Sequence, residues 1–352
     1  MSRRAAKHLR AAATHPKWAT ARRGSRGDYT MRMNRLGVIL LGTALGAAPC
    51  FQAGVAAQAA QGQQPLPQDS IKIQVNLVNL FATVRDKRSK RIVSTLEQNN
   101  FKITEDNTEQ KISFFSREST LPITLGILLD TSGSEQFMLA AEQDAATRFL
   151  ATVLRPHDLA MVMSFDSDVD LLGDFTDDRD VLNRAIHRAR INVPAAQGPL
   201  SGNLAGTIFY DGIYLACHDK LADEAGRKAL VILTDAEDTG SKVSLQDAIE
   251  VAQRTDTVIH ILLVGDPREF GVNEGVAKKL TEETGGRTIV VSSEKKLEEA
   301  FQQISEELRS QYTLGYYSTN GARDGAYRKV KVATTQKDLD VLARRGYYAP
   351  KN

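Results

Sequence analysis

Apolar and polar residues alternate with a period of two over residues 71–86, the pattern of a strand with one buried face. Two further segments of this kind, 101–106 and 110–118, are separated by turn residues. Together they predict an all-β part over residues 70–118. A part of this size cannot bury a hydrophobic core by itself.

The same period returns after Gln311, in the segments YTLGYYST, YRKVKVATT and LDVLARRGYYA. Residues 312–352 are again too few to fold alone, and isolated hairpins would expose apolar faces and strand edges. We therefore predict that 70–118 and 312–352 join in one small β-sandwich, although they are far apart along the chain.

Residues 119–311 have a different pattern, in which continuous apolar runs alternate with segments whose apolar residues recur at helical spacing. Such runs are typical of parallel strands that helices cover on both faces. We predict a doubly wound, Rossmann-like α/β domain here, inserted in the β-sandwich. The predicted helices cover residues 135–154, 177–190, 207–222, 244–254, 273–284 and 297–311.

The first 59 residues read as an upstream segment followed by an export signal. Arg32 and Arg35 precede an apolar run over 36–48, and an Ala-Gln-Ala cleavage pattern ends at Ala59. The run is too short for a membrane span. We predict an exported, periplasmic or extracellular protein, with residues 60–69 as a polar linker. After cleavage Cys217 is the one remaining cysteine, so an intramolecular disulfide is not expected.

Charge is distributed unevenly along the chain. Residues 1–59 hold ten of the 45 Lys and Arg residues and one of the 43 Asp and Glu residues. The part that follows is therefore mildly acidic, which argues against nucleic acid as a partner.

The stretch GILLDTSGS carries the candidate chemistry. Asp130 follows a buried strand, and Ser132 and Ser134 follow it at alternate positions on a tight loop. One carboxylate and two hydroxyls offer only hard oxygen ligands, which suit Mg²⁺, Mn²⁺ or Ca²⁺. Asp235 ends another buried strand and Thr207 precedes a helix, so both are placed at the strand-end edge where such folds bind ligands.

This set of residues resembles the metal-ion-dependent adhesion site (MIDAS) of von Willebrand factor type A domains. The segments GILLDTSGS, YDGIYLA, ALVILTDAEDTGS, SQYTLGYY and VLARRGYYAP are together similar to the von Willebrand factor A-related acidobacterial domain family. The resemblance runs from about residue 70 to 350. One departure is Ala236, where these domains often have glycine after the aspartate.

The resemblance implies a role for each residue. Ser132, Ser134 and Thr207 would approach the metal through hydroxyl oxygens, and Asp130 and Asp235 would bind it directly or through water. Two carboxylates only just neutralise a divalent ion, so an open coordination position could take a carboxylate from a protein partner. We expect an exported, non-enzymatic binding module of the adhesion type, with Mg²⁺ as the first expectation for its metal and no catalytic residues.

Other interpretations of these residues remain. Asp130, Ser132 and Ser134 alone could form a helix-capping turn. A hydrolase could use the same metal to activate water, and a metal-free structural scaffold is a third class. DTGS at residues 238–241 copies the aspartic protease loop, but no second copy supplies the required partner carboxylate. His260 lies within an apolar strand and is expected to be a core histidine.

Overall fold

The computed structural model describes residues 77–117, 121–191, 206–265 and 272–351. The predicted upstream segment, signal peptide and linker lie outside these residues. None of the helices in the described part of the chain is long and apolar enough to cross a membrane.

The described part of the chain begins and ends in β-structure, and the α/β part lies between these outer strands. The first four strands are β1 (Leu77–Asp86), β2 (Phe101–Glu105), β3 (Thr108–Gln110) and β4 (Ile112–Ser116). The central six are β5 (Ile123–Asp130), β6 (Leu159–Phe165), β7 (Val169–Thr176), β8 (Arg227–Thr234), β9 (Thr257–Val264) and β10 (Thr288–Val291). The last four are β11 (Tyr312–Tyr317), β12 (Tyr327–Thr334), β13 (Leu339–Leu342) and β14 (Gly346–Tyr348).

The described residues of the α/β part form six α-helices, of which the last leads from β10 to β11: α1 (Leu139–Val153), α2 (Arg179–Ile186), α3 (Phe209–Leu215), α4 (Leu245–Arg254), α5 (Glu274–Thr284) and α6 (Glu294–Arg309). The central sheet has the order β10-β9-β8-β5-β6-β7, and all neighbours are parallel except β6 and β7. This is the predicted α/β fold with a covered sheet.

Helices cover both faces of the central sheet because its inner strands are apolar throughout. Every residue of β5 and of β9 is buried. Side chains alternate along β5, so Ile127 and Leu129 pack with α1 and α6, whereas Leu128 packs with α3 and α4. The two cores that result hold β5 and β8 side by side and place their carboxyl ends together.

The outer strands form two four-stranded sheets, and each combines strands from both ends of the chain. Their orders are β13-β1-β11-β4 and β14-β12-β2-β3. Leu77 is paired with Tyr317 and Phe101 with Thr334. One apolar core lies between the sheets, with Tyr312 completely buried in it. The fold class is confirmed, while the domain boundaries at residues 118 and 311 stay a prediction.

Tyr312 shows why the two ends need each other. Its hydroxyl accepts a hydrogen bond from the Leu96 amide at 3.0 Å and donates one to the Val93 carbonyl at 2.8 Å. Its ring meets that of Phe101 at a centroid distance of 4.9 Å. A buried phenol needs such partners, and here both come from the other end of the chain.

Several helix limits differ from the sequence prediction, and two of the differences concern the segments that contain or follow the predicted ligands. The helix expected from residue 135 begins at Leu139, because Gly133–Phe137 forms a 3₁₀ turn first. The helix expected over 207–222 is α-helical over Phe209–Leu215 and continues as a π-helix over Ala216–Leu221. The first difference matters for the site, because the 3₁₀ turn changes which side chains point inward.

Gly286 lies at the turn from α5 to β10, where the backbone passes very close to β9. A Cβ at this position would lie 1.9 Å from the Ile259 carbonyl oxygen. We expect Gly286→Ala to lower the free energy of unfolding by about 2–3 kcal/mol, because backbone and not a flexible side chain would have to move. Urea unfolding followed by circular dichroism measures the change.

Gly321→Ala is the matched control, since nothing lies within 4 Å of a Cβ built there. Its effect should stay within about 0.5 kcal/mol. Equal urea midpoints for the two variants would contradict the close approach at Gly286.

Candidate metal centre

Asp130 is the last residue of β5 and its side chain is fully buried. One carboxylate oxygen accepts a hydrogen bond from the Ser132 amide at 2.9 Å. The other accepts from the Thr234 hydroxyl, at the end of neighbouring β8, at 2.6 Å. Because both bonds leave lone pairs on a carboxylate fixed in position, Asp130 is oriented as a ligand would be.

The loop after Asp130 turns tightly into the 3₁₀ segment. The Thr131 amide donates to the Phe165 carbonyl at 2.9 Å, which ties the loop to the end of β6. The hydroxyl oxygens of Ser132 and Ser134 are 2.9 Å apart, so one donates a hydrogen bond to the other. The structure therefore brings these two predicted ligands together on the solvent side of Asp130.

Asp235 follows β8 and is 8% exposed. Its carboxylate accepts a hydrogen bond from the Glu237 amide at 2.9 Å. The next residue, Ala236, has a φ of 62°, in the left-handed region that favours glycine. The Ala236 amide donates to the Thr234 hydroxyl at 2.9 Å. The turn at which the resemblance leads one to expect glycine is thus made here with alanine, and Asp235 lies beside Asp130.

Thr207 lies just before α3, and its backbone is fixed from two sides. Its carbonyl accepts hydrogen bonds from the Thr239 and Gly240 amides at 3.0 and 3.1 Å. The next amide, of Ile208, donates to the Asp166 carbonyl at 2.7 Å, and the Asp166 carboxylate accepts from Thr131 at 2.9 Å. The Thr207 loop is therefore linked to the Asp130 loop. The role of its hydroxyl as a ligand stays a prediction.

Glu135 is a site residue that the sequence prediction missed. It is 2% exposed, and one carboxylate oxygen each from Asp130, Glu135 and Asp235 lie within 4.8 Å of one another. That spacing is close enough for the three carboxylates to share one metal ion. The donor set therefore fits a hard divalent ion.

The 3₁₀ turn explains this position of Glu135. In an α-helix that starts at residue 135, the Glu135 side chain would lie in the first turn, where a glutamate is usually exposed to solvent. Instead the Glu135 amide donates to the Ser132 carbonyl at 3.1 Å, and the turn directs the side chain inward. The only feature of the sequence that could have pointed to Glu135 as a site residue was its position directly after Ser134.

A fourth carboxylate, Glu142, lies behind the site in the first turn of α1. It is fully buried, and its carboxyl group is hydrogen-bonded to that of Glu135, so the two can share a proton. No salt bridge among the described residues reaches Asp130, Glu135, Glu142 or Asp235. The centre is thus strongly acidic, and no described Lys, Arg or His side chain forms an ion pair with it.

The pKa values in this centre follow from burial. Removal from water raises the pKa of Asp130 to about 6, although its hydrogen bonds from Ser132 and Thr234 act in the other direction. Burial also raises the pKa values of Glu135 and Glu142, and the charges of neighbouring carboxylates, Asp130 among them, add to it. A bound divalent cation would remove the cost of ionising these groups.

The centre opens to solvent beside a small cavity of about 180 Å³. The cavity is lined by Ser134, Glu135, Phe137, Met138, Asp235, Val264, Gly265, Val291 and Ser292. Phe137 is 80% exposed at this opening. A cluster of carboxylates with an exposed aromatic side chain beside it is a surface that another molecule can reach.

Residues 125–237 match the family model described as von Willebrand factor type A domain, and this range includes all five predicted ligands. The chain contains a von Willebrand factor type A domain. The narrower resemblance, to the acidobacterial family, stays a prediction. No curated protein matches the chain in sequence.

Several solved structures are similar to this von Willebrand A domain protein. The conserved hypothetical protein BatB from Bacteroides thetaiotaomicron is 18% identical, with a TM-score of 0.42, over 53% of this chain and 100% of that one. A von Willebrand factor type A protein from Catenulispora acidiphila is 11% identical, with a TM-score of 0.44, over 80% and 75%.

A third structure is proximal thread matrix protein 1 from the mussel byssus, with a zinc-occupied MIDAS motif. It is 13% identical, with a TM-score of 0.45, over 58% of this chain and 49% of that one. This chain therefore matches about half the length of that protein.

Proposed function

We propose that this protein is an exported binding module that holds a divalent cation in its von Willebrand A domain and uses it to bind a carboxylate of a protein partner. One observation carries the proposal: carboxylate oxygens of Asp130, Glu135 and Asp235 lie within 4.8 Å of one another. Their arrangement at the open, carboxyl-terminal edge of the sheet supports binding of an external ligand.

The ligands we assign are the five residues that the sequence predicts. Asp130 and Asp235 would hold the cation, with the Ser132 and Ser134 hydroxyls and Thr207 on the side that faces the partner. Hard oxygen donors favour Mg²⁺, with Mn²⁺ and Ca²⁺ as further candidates. Neutral hydroxyls leave the ion able to attract an anion, which is the chemistry a partner's Asp or Glu side chain would supply.

The burial of the acidic groups argues against a metal-free structural scaffold. Burying several carboxylates near one another without a cation costs free energy, because each loses its hydration and repels the others. Asp130 and Glu142 are both 0% exposed. A purely structural role would not require that cost at a sheet edge.

A metal-dependent hydrolase is the second candidate, and Glu135 is the observation that favours it. Sequence alone supplied no general base near Asp130, whereas the structure places a carboxylate there. The binding proposal expects no activity in an esterase or phosphatase screen. Activity that is lost in Asp235→Ala would favour the hydrolase instead.

Partner capture tests the binding proposal. The tagged protein is crosslinked to proteins of the native cell envelope in Mg²⁺ or in EDTA. We expect capture in Mg²⁺ alone, its loss in Asp235→Asn, and its loss when the carboxylates of the envelope proteins are first amidated. Asp170→Asn is the matched control, because this exposed aspartate lies on β7 outside the site. Capture that persists in EDTA would refute the proposal.

A further inference from the structure

The β-sandwich has a groove along one edge, between β12 and β13. Its volume is about 490 Å³. The apolar residues that line it include four from the core of the sandwich: Val330, Val332, Leu339 and Val341. β12 and β13 are consecutive in the chain, yet they belong to different sheets. The groove therefore leads into the gap between the two sheets.

The backbone of β12 has an open edge in this groove. On the side away from β2, the Val330 amide donates a hydrogen bond to the Arg345 carbonyl at 2.7 Å. Successive residues of an antiparallel strand bond to opposite sides, so Val332 and Thr334 direct their amides to the same side as Val330. β14 pairs with β12 only as far as Lys329, and no other described strand pairs with β12 on this side.

β13 forms the opposite wall of the groove and is also open. It is the edge strand of its sheet and pairs with β1 alone. The Asp338 carbonyl, just before β13, accepts a hydrogen bond from the Lys87 amide on the β1 side at 2.9 Å. By the same alternation, Leu339 and Val341 direct their amides and carbonyls away from β1. An open edge of this kind can pair with a strand from another chain.

The rim of the groove is positively charged. Three exposed lysines line it, and none of them forms a salt bridge with another described residue: Lys87, Lys331 and Lys337. The two arginines that line the groove already have acidic partners. Asp340 is the one acidic side chain among the lining residues. The groove therefore attracts an acidic ligand.

This charge indicates which kind of segment fits. Residues 1–59 hold ten Lys and Arg residues and one acidic residue, so like charge disfavours that part of the chain as the occupant. In an added strand, alternate side chains would face the gap between the sheets and the lysines at the rim. Apolar residues suit the first position and acidic residues the second. A nucleic acid would meet the lysines but could not pair with the open strand edge.

We propose that this groove binds an extended segment of a partner protein in which apolar and acidic residues alternate, and that the segment adds a strand to β12. The open amides and carbonyls of β12 supply the affinity common to any strand. The apolar gap and the lysines at the rim select the sequence. The site shares no residue with the metal centre and does not depend on the proposed function.

A fluorescein-labelled peptide of sequence EVDVEVD is the probe for the groove. It is titrated with the full chain in EDTA, so that no metal ion can hold its carboxylates. We expect saturable binding by fluorescence anisotropy and slower amide hydrogen exchange over residues 330–343 in the complex. The same peptide with every backbone amide N-methylated keeps its side chains and charge, and it should bind at least about tenfold more weakly.

Two double variants test the charge of the rim. Lys331→Gln combined with Lys337→Gln should weaken binding of the peptide about fivefold, because two exposed positive charges are lost. Lys279→Gln combined with Lys295→Gln is the matched control, since both lysines are exposed on α5 and α6 and the net charge changes equally. The control should bind the peptide as wild type does.

The outcomes that overturn the proposal are distinct. Absence of peptide binding would overturn it, and so would equal binding of the N-methylated peptide or equal losses in the two double variants. Oligothymidylate that binds as tightly as the peptide would show a general polyanion surface instead. A dimer in sedimentation experiments that the peptide dissociates would assign the groove to a second copy of the chain. Because EDTA is present throughout, none of these results bears on the metal centre.

Discussion

Asp130→Asn is expected to weaken divalent cation binding by at least about 100-fold, because a neutral amide replaces the carboxylate at the centre of the site. The substitution keeps the shape of the side chain. The Ser132 amide and the Thr234 hydroxyl still find partners on an asparagine, so the loop has no reason to unfold. Isothermal titration with Mg²⁺ and with Mn²⁺ measures the loss.

Stability provides the control for this variant. In EDTA, Asp130→Asn should be at least as stable as wild type, because a buried charge has been removed. Addition of Mg²⁺ should raise the melting temperature of wild type and of Asp170→Asn, but not of Asp130→Asn. An unchanged Kd in Asp130→Asn would exclude Asp130 as a ligand, and the proposed function would fail with it.

His260 is expected to make the protein sensitive to acid, by on the order of 3 kcal/mol. It is 2% exposed within β9, as expected for a core histidine, and neither ring nitrogen has a hydrogen-bond partner among the described residues. Burial lowers the pKa of His260 to about 4 from its ordinary 6.5. Glu307, 4.0 Å away, opposes that shift and Arg287 adds to it.

The direction of the effect follows from the lowered pKa. The unfolded chain binds a proton at His260 more readily than the folded protein does, so acid favours unfolding. Stability from this group is complete above about pH 6.5 and is lost as the pH falls toward 4. Glu307 does not reverse the shift, because its Oε2 stays 4.0 Å from His260 Nδ1 and its charge is shared with Arg287 at 2.7 Å and Arg85 at 3.2 Å.

Urea unfolding at pH 7 and pH 4.5 tests this prediction in wild type and in His260→Leu. Other groups that titrate in this range are common to both proteins, so the difference between the two profiles isolates His260. The leucine variant should lose markedly less stability than wild type on acidification. Parallel profiles would show that His260 is protonated in the folded state.

Much of the fold could be predicted from the sequence, because the buried faces of strands and helices produce apolar residues at regular spacing. The apolar run before Asp130 predicted a strand covered on both faces, and all eight residues of β5 are buried. The period of two over residues 71–86 and after Gln311 predicted strands with one buried face. That strands from the two ends of the chain pair with each other could be inferred only because neither set is large enough to fold alone. In the structure β1 pairs with β11, for example through Leu77 and Tyr317.

The site was only partly accessible by the same reasoning. Asp130 and Asp235 could be placed because each directly follows a buried strand, and parallel neighbours end at one edge. Glu135 could not, because a glutamate at the start of an amphipathic helix usually faces solvent. Glu142 has the same difficulty: nothing in its sequence neighbours distinguishes a buried glutamate from the many exposed ones.

The sequence by itself determined which residues could meet at the edge of the sheet, since strand ends and side-chain chemistry are local properties. Only the tertiary structure decided how they meet. The hydrogen bond from Thr234 to Asp130 joins residues 104 positions apart, and the 3₁₀ turn after Ser132 directs Glu135 inward. The direction of a side chain depends on backbone turns and on packing against distant residues, and local pattern does not record either.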